Sequence, residues 1–198
     1  MRSIELEVRA EVPLKHYETL LAHLKRHGKL KSRTKRCSVM FFGHDAGGKP
    51  VDLRVRITNG EAEVVMKKGA LHAANRIEFS QPVAKADMAG LACVFSMLGF
   101  EAKVGERVTV NFDFGKGTVV ALVKADRIAY LEVERMTDKQ HYEDDKTEVM
   151  EVLSELGYKP LLKSDFDDLC HRLTKHVDWK FHGTPKDLTR LKKVLRWY

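Results

Sequence analysis

Residues 2–12 alternate without a break, with Ile4, Leu6, Val8 and Ala10 on one side of the chain and Glu5, Glu7, Arg9 and Glu11 on the other. Among regular structures only an extended strand has a side-chain period of two, so this segment reads as a β-strand with one apolar and one charged face. The same device returns downstream. Charges stand at alternate positions in DLRVRI (Arg54, Arg56), EAEVVMKK (Glu61, Glu63, Lys67), NRIEFS (Arg76, Glu78) and YLEVERM (Glu132, Glu134), and Arg107 heads ERVTVNF. One such strand is ordinary in an antiparallel sheet with a wet face. Acids and arginines repeated on strands from both ends of the chain imply a shared charged surface.

The spacing predicts strands over 2–12, 38–43, 51–58, 61–68, 75–82, 107–114, 118–124 and 127–136, with Asn59-Gly60 as the clearest hairpin turn. An amphipathic helix follows Pro13, with Leu14, Tyr17, Leu20, Leu21 and Leu24 at helical spacing and Gly28 at its end. A second is expected over 85–99, a third after Thr137 with an acidic first turn, a fourth in KSDFDDLCHRLTKHV, and a basic one from Pro185. About eight strands suffice to close a barrel whose interior holds side chains or one small ligand. The expected fold class is therefore α+β: an eight-stranded antiparallel β-barrel, or tunnel, with flanking helices and a helical C-terminal extension. One tunnel domain is assigned to 1–169 and a basic helical extension packed on it to 170–198.

Composition excludes other classes. With 198 residues, 43% of them hydrophobic, the chain is long enough to bury a core without staples. The cysteines, Cys37, Cys93 and Cys170, are odd in number and far apart, so neither a disulfide framework nor a zinc knuckle is suggested, and a reducing cytoplasm fits. No run of 18 apolar residues marks a membrane span, and the N-terminal residues do not read as a signal peptide. The formal charge is +7, and residues 159–198 hold ten basic and five acidic residues. A second basic run, KRHGKLKSRTKR over 25–36, reads first as a solvated loop and second as a phosphate-backbone patch. Trp179 and Trp197 read first as packing contacts of the C-terminal appendage and second as platforms for a base.

The residue types on the charged strands suit one chemistry. Mg2+ and Mn2+ want oxygen ligands, commonly one or two carboxylates completed by water and phosphate oxygens, and Glu5, Glu7, Glu132 and Glu134 supply carboxylates. Arginine makes two-point hydrogen bonds to phosphate and keeps its proton, so Arg54, Arg56, Arg76 and Arg107 suit a polyphosphate. Phosphoryl transfer needs mainly positioning and charge stabilisation, without a protein nucleophile.

In this pattern the chain resembles the CYTH superfamily of class IV adenylyl cyclases and thiamine triphosphatases, the triphosphate tunnel metalloenzymes. The resemblance rests on Glu5-Leu6-Glu7-Val8-Arg9 against the family's E-x-E-x-K, the L-R-x-R at Leu53 to Arg56, Lys68-Gly69, the R-x-E at Arg76 to Glu78, Arg107, and the E-x-E at Glu132 to Glu134. LLKSDFDDLC from Leu161 is similar to the family's K-S-Y segment, with Phe166 in place of the tyrosine. The resemblance implies catalytic roles for Glu5, Glu7 and Arg9, and substrate binding by Arg54, Arg56, Lys67, Lys68, Arg76 and Arg107. It also implies Mg2+ or Mn2+ on Glu5, Glu7, Glu78, Glu132 and Glu134. The expected activity is hydrolysis of inorganic triphosphate, a nucleoside triphosphate or thiamine triphosphate. Conversion of ATP to cyclic AMP is the alternative, and non-catalytic binding of polyphosphate or RNA a third. The expected partner is a triphosphate-containing small molecule, with nucleic acid ranked behind it and no membrane, in a monomer or homodimer. Arg9 departs from the usual lysine and is a poorer proton acceptor.

Overall fold

The computed structural model describes residues 4–45, 47–68 and 77–198, without the side chains of Glu5, Lys68, Ile77 and Glu78. Strands are β1 (Ile4–Val12), β2 (Lys29–His44), β3 (Pro50–Thr58), β4 (Glu61–Lys68), β5 (Ile77–Val83), β6 (Glu101–Asp113), β7 (Thr118–Ala125), β8 (Ile128–Thr137) and the short β9 (Trp179–Lys180). Helices are α1 (Tyr17–His27), α2 (Met88–Ser96), α3 (Tyr142–Glu155), α4 (Lys163–His176) and α5 (Pro185–Leu195). The chain divides into two compact units, residues 1–33 with 108–173 and residues 34–107 with 174–198. The long strands β2 and β6 contribute residues to both.

In the first unit the hydrogen-bonded order is β1-β8-β7-β6-β2, antiparallel in the ladders β1–β8, β8–β7 and β7–β6. The alternation expected from the sequence sends Leu6, Ala10 and Val12 of β1 and Leu131 and Val133 of β8 into a core with Leu20 and Leu24 of α1 and Val149 and Leu153 of α3. Glu7, Arg9 and Glu11 consequently stand on the opposite face. In the second unit the order is β6-β2-β3-β4-β5, with β9 added to β6. Its core joins Cys37, Val39 and Phe41 of β2 and Val55 and Ile57 of β3 to Met88 and Ala92 of α2 and Leu191 and Leu195 of α5. Asn59 (φ +50°) and Gly60 (φ +95°) turn β3 into β4 as the Asn-Gly pair requires.

The antiparallel α+β architecture is as expected, but closure is not: among the described residues no ladder joins β1 to β5, so the strand path has two ends and the sheet is not closed into a barrel. One physical reason lies at β1, whose Arg9 carbonyl accepts from Leu161 N–H at 2.8 Å, so that part of its backbone is satisfied by the segment leading into α4. The basic run over 25–36, expected as a loop, is strand from Lys29 onward. Lys29, Lys31, Arg33 and Lys35 alternate as exposed residues, and water screens their repulsion. The two-residue β9 has no signal of its own, being too short to show a period.

Gly43 of β2 is a packing requirement. A β-carbon there would fall 2.1 Å from a ring carbon of Phe100, which packs on the second core. Gly43→Ala is expected to cost about 1–3 kcal/mol by overpacking, read as a lower urea midpoint at an unchanged slope.

Candidate active site

Register builds the acidic face of the first unit. Glu7 lies opposite Glu134 and Arg9 opposite Glu132 in the β1–β8 ladder. Directly opposed like charges are unfavourable in a sheet, and neighbouring cations offset the repulsion of Glu7 and Glu134. Part of that role falls to Arg9, whose Nη2 donates to Glu7 at 2.5 Å and whose Nε donates to Glu132 at 3.1 Å. Its guanidinium also lies 4.8 Å from the centre of the Phe166 ring of α4, a cation–π contact. Burial works against the charge on Arg9, but Glu7 and Glu132 more than reverse it and raise its pKa further. Arg9 is thus a fixed cation and no proton acceptor. Beside it Arg172 of α4 is paired with Glu11 of β1 at 2.5 Å.

Three arginines on strands of the second unit are each joined to an acid. Arg54 donates from Nε and Nη2 to Asp52, at 2.8 and 2.6 Å, and Arg56 donates to Glu63 at 2.7 Å across the β3–β4 ladder. Arg107 makes a two-point pair with Asp178 at 2.8 and 3.2 Å, and Lys103 joins the same carboxylate at 3.3 Å. Asp178 has 0% side-chain exposure. Gly105, standing between those cations on β6, leaves the space for this group: a β-carbon there would lie 2.7 Å from Asp178 Oδ1 and 3.0 Å from Arg107 Nη1. Lys67 is half-buried, opposite Asp52 in the ladder.

Of the residues proposed from sequence, Glu7, Arg9, Glu132 and Glu134 are brought together in one unit, and Arg54, Arg56, Lys67 and Arg107 lie on strands of the other. Arg76 and the side chains of Glu5, Lys68 and Glu78 lie outside the described residues. Asp52, Asp178 and Lys103 were not among the candidates. Asp52 could have been found, because it continues the alternation of Arg54 and Arg56 on β3. Asp178 could not, because it meets Arg107 from 71 positions away.

Among the described residues no group of three or more His, Cys, Asp or Glu side chains is arranged to hold a metal ion. The donor chemistry does fit a hard divalent cation held by one or two carboxylates and completed by water and phosphate oxygens, with Glu7 and Glu134 as the opposed pair.

Carboxylates tied to arginine set the acid stability. Burial would raise the pKa of Glu63, but hydrogen bonds from Arg56 and Ser80 and the charges of Arg56 and Arg36 hold it below the usual range. Thr137 and Arg135 do the same for Asp145. A group whose pKa is lower folded than unfolded adds stability above its unfolded value, and that stability is lost as pH falls through the folded one. The melting temperature is expected to be flat above about pH 5 and to fall below about pH 4, the ordinary carboxylate range. Asp145→Asn should flatten part of that fall in a melting series against pH.

No family model matches the sequence and no curated protein matches it. Solved structures do. The chain is similar to the PH1819 protein from Pyrococcus horikoshii OT3, at 14% identity and a TM-score of 0.64 over 86% of this chain and 99% of that one. A candidate adenylate cyclase from Vibrio parahaemolyticus matches at 14% identity and 0.60, over 96% and 99%. HpAC1 from Hippeastrum, a candidate adenylyl cyclase with a dominant triphosphatase activity, matches at 17% and 0.53, over 86% and 96%. The chain shares the fold of these proteins. The CYTH resemblance read from E-x-E-x-R, L-R-x-R and the later E-x-E is therefore met by the fold, with low identity throughout. Among the described residues no helix is long and apolar enough to cross a membrane.

Proposed function

We propose that the chain hydrolyses a triphosphate with a divalent cation, Mg2+ or Mn2+. The observation that carries this reading is the placement of Glu7 across the ladder from Glu134, beside the Arg9–Glu132 pair. Glu7 and Glu134 would hold the cation, which when bound neutralises charge developing on phosphate oxygens. Arg9 orients Glu7 and Glu132 and moves no proton. Arg54, Arg56, Lys67 and Arg107 bind phosphate oxygens, together with Arg76 and Lys68. Their acid partners support such a role, because a guanidinium has five N–H donors. Arg54 spends two on Asp52, which fixes its plane and leaves others for phosphate. Glu5 and Glu78 complete the proposed metal set. The thiol state of Cys37, Cys93 and Cys170 supports a reducing, cytoplasmic setting.

The test is product analysis after incubation with inorganic triphosphate and, separately, ATP, each with Mg2+ and with Mn2+. Orthophosphate is expected. Cyclic AMP with pyrophosphate would instead make the chain a cyclase, and absence of any product in all four mixtures would leave a binding module or an untested substrate such as thiamine triphosphate.

A further inference from the structure

The arginines on the strand faces have carboxylate partners: Arg9, Arg54, Arg56 and Arg107 each lie within 3.1 Å of one. The cations of α5 do not. Among the described residues Lys186, Arg190, Lys192, Lys193 and Arg196 are exposed and none is ion-paired. The single acid of the helix, Asp187, is committed to the capping box with Thr184 and to the backbone N–H of His182. This surface helix therefore carries a concentration of uncompensated positive charge, and its other side is fixed in the core by Leu191 and Leu195.

The arrangement of these cations is specific. Lys186, Arg190, Lys193 and Trp197 follow one another at intervals of four, three and four residues, one stripe of a helix with 3.6 residues per turn. The helical turn carries past Leu195, since Trp197 N–H donates to the Val194 carbonyl at 3.0 Å. Lys186, Thr189, Arg190 and Lys193 line a shallow cleft of about 470 Å3 with Pro185. Arg190 is held in place by its guanidinium lying 4.1 Å from the centre of the Trp179 ring. Trp197, expected as a packing contact, is instead 77% exposed at the end of the stripe.

We propose that this stripe binds single-stranded nucleic acid, with Lys186, Arg190 and Lys193 along the phosphates and Trp197 under a base. A row of cations ending on an open aromatic face is the combination that single strands recognise, the charges following the backbone and the ring stacking on a base that a duplex would keep stacked. A bare phosphate chain has no use for the indole. A bilayer would need a broad apolar face beside the cations, and this one offers only Pro185 beside Thr189.

The test is fluorescence anisotropy of a labelled oligouridine of about 12 nucleotides with the full chain. With three phosphates neutralised, affinity should fall about 20-fold from about 50 to 200 mM salt. Lys186→Gln, Arg190→Gln and Lys193→Gln together should remove most of that salt dependence, and Trp197→Ala should weaken binding about fivefold or more at fixed salt without changing its slope. Melting temperatures of these variants should match the parent, since all four positions are exposed. No binding at low salt overturns the proposal. An unchanged slope in the triple variant does the same by moving binding elsewhere on the chain. Indifference to Trp197→Ala together with displacement by inorganic polyphosphate would make the stripe a site for bare phosphate chains, which also overturns it.

Discussion

Glu134→Gln is expected to lower turnover of inorganic triphosphate in Mn2+ by about 100-fold or more, while the melting temperature without metal stays the same or rises slightly. The reason lies in the ladder, where Glu134 directly faces Glu7. Without a cation the two carboxylates oppose each other, so neutralising one removes a repulsion worth under about 1 kcal/mol. In the proposed reading they would be the protein donors to the cation, and a bound metal would contribute several kcal/mol of charge stabilisation, each 1.36 kcal/mol being about tenfold in rate. The paired measurement of turnover and melting separates the alternatives. A fall in melting temperature with turnover preserved would give Glu134 a structural role and remove the metal assignment.

Asp178→Asn should be the most damaging single change to stability. The carboxylate is fully buried and pairs with Arg107 and Lys103, whose side chains are each 18% exposed. Neutralising the acid takes the buried carboxylate away from two cations in a poorly solvated place, which costs about 3–5 kcal/mol for a buried pair. For a chain of this size that corresponds to a fall of roughly 6–20 °C in melting temperature. Adding Arg107→Gln should recover part of the loss, because the two residues share one interaction and their effects are not additive. Additive losses would mean that Asp178 acts on something other than these cations.

The strands were legible because a period of two survives in a single sequence. The alternation of Leu6, Val8 and Ala10 with Glu7, Arg9 and Glu11 placed β1 and its two faces, and Asn59-Gly60 placed the β3–β4 turn. Reading Glu7, Arg9, Glu132 and Glu134 as one constellation also followed, since charge on every second residue of two strands leaves few arrangements. What escaped depended on distance along the chain. No local pattern ties Asp178 to Arg107, and none shows that the strand path stops at β1 and β5. The lysines of β2 concealed nine residues of strand because a run of positive charge resembles a solvated loop. Trp197 was misjudged for the converse reason: aromatic side chains usually pack, and its exposure is decided by where α5 turns its apolar side.

The β1–β8 ladder also bears on how the protein is made. Arg9 meets Glu132 across 123 positions, so while the chain is being synthesised β1 has no strand partner until β8 has emerged. At about 5–20 residues per second that wait is roughly 6–25 s. Throughout it, Leu6, Val8, Ala10 and Val12 form an unpaired apolar strip of the kind that seeds aggregation. The charges at the intervening positions act as gatekeepers during this interval, and residues assigned to chemistry in the finished protein first serve to keep the growing chain apart from its neighbours.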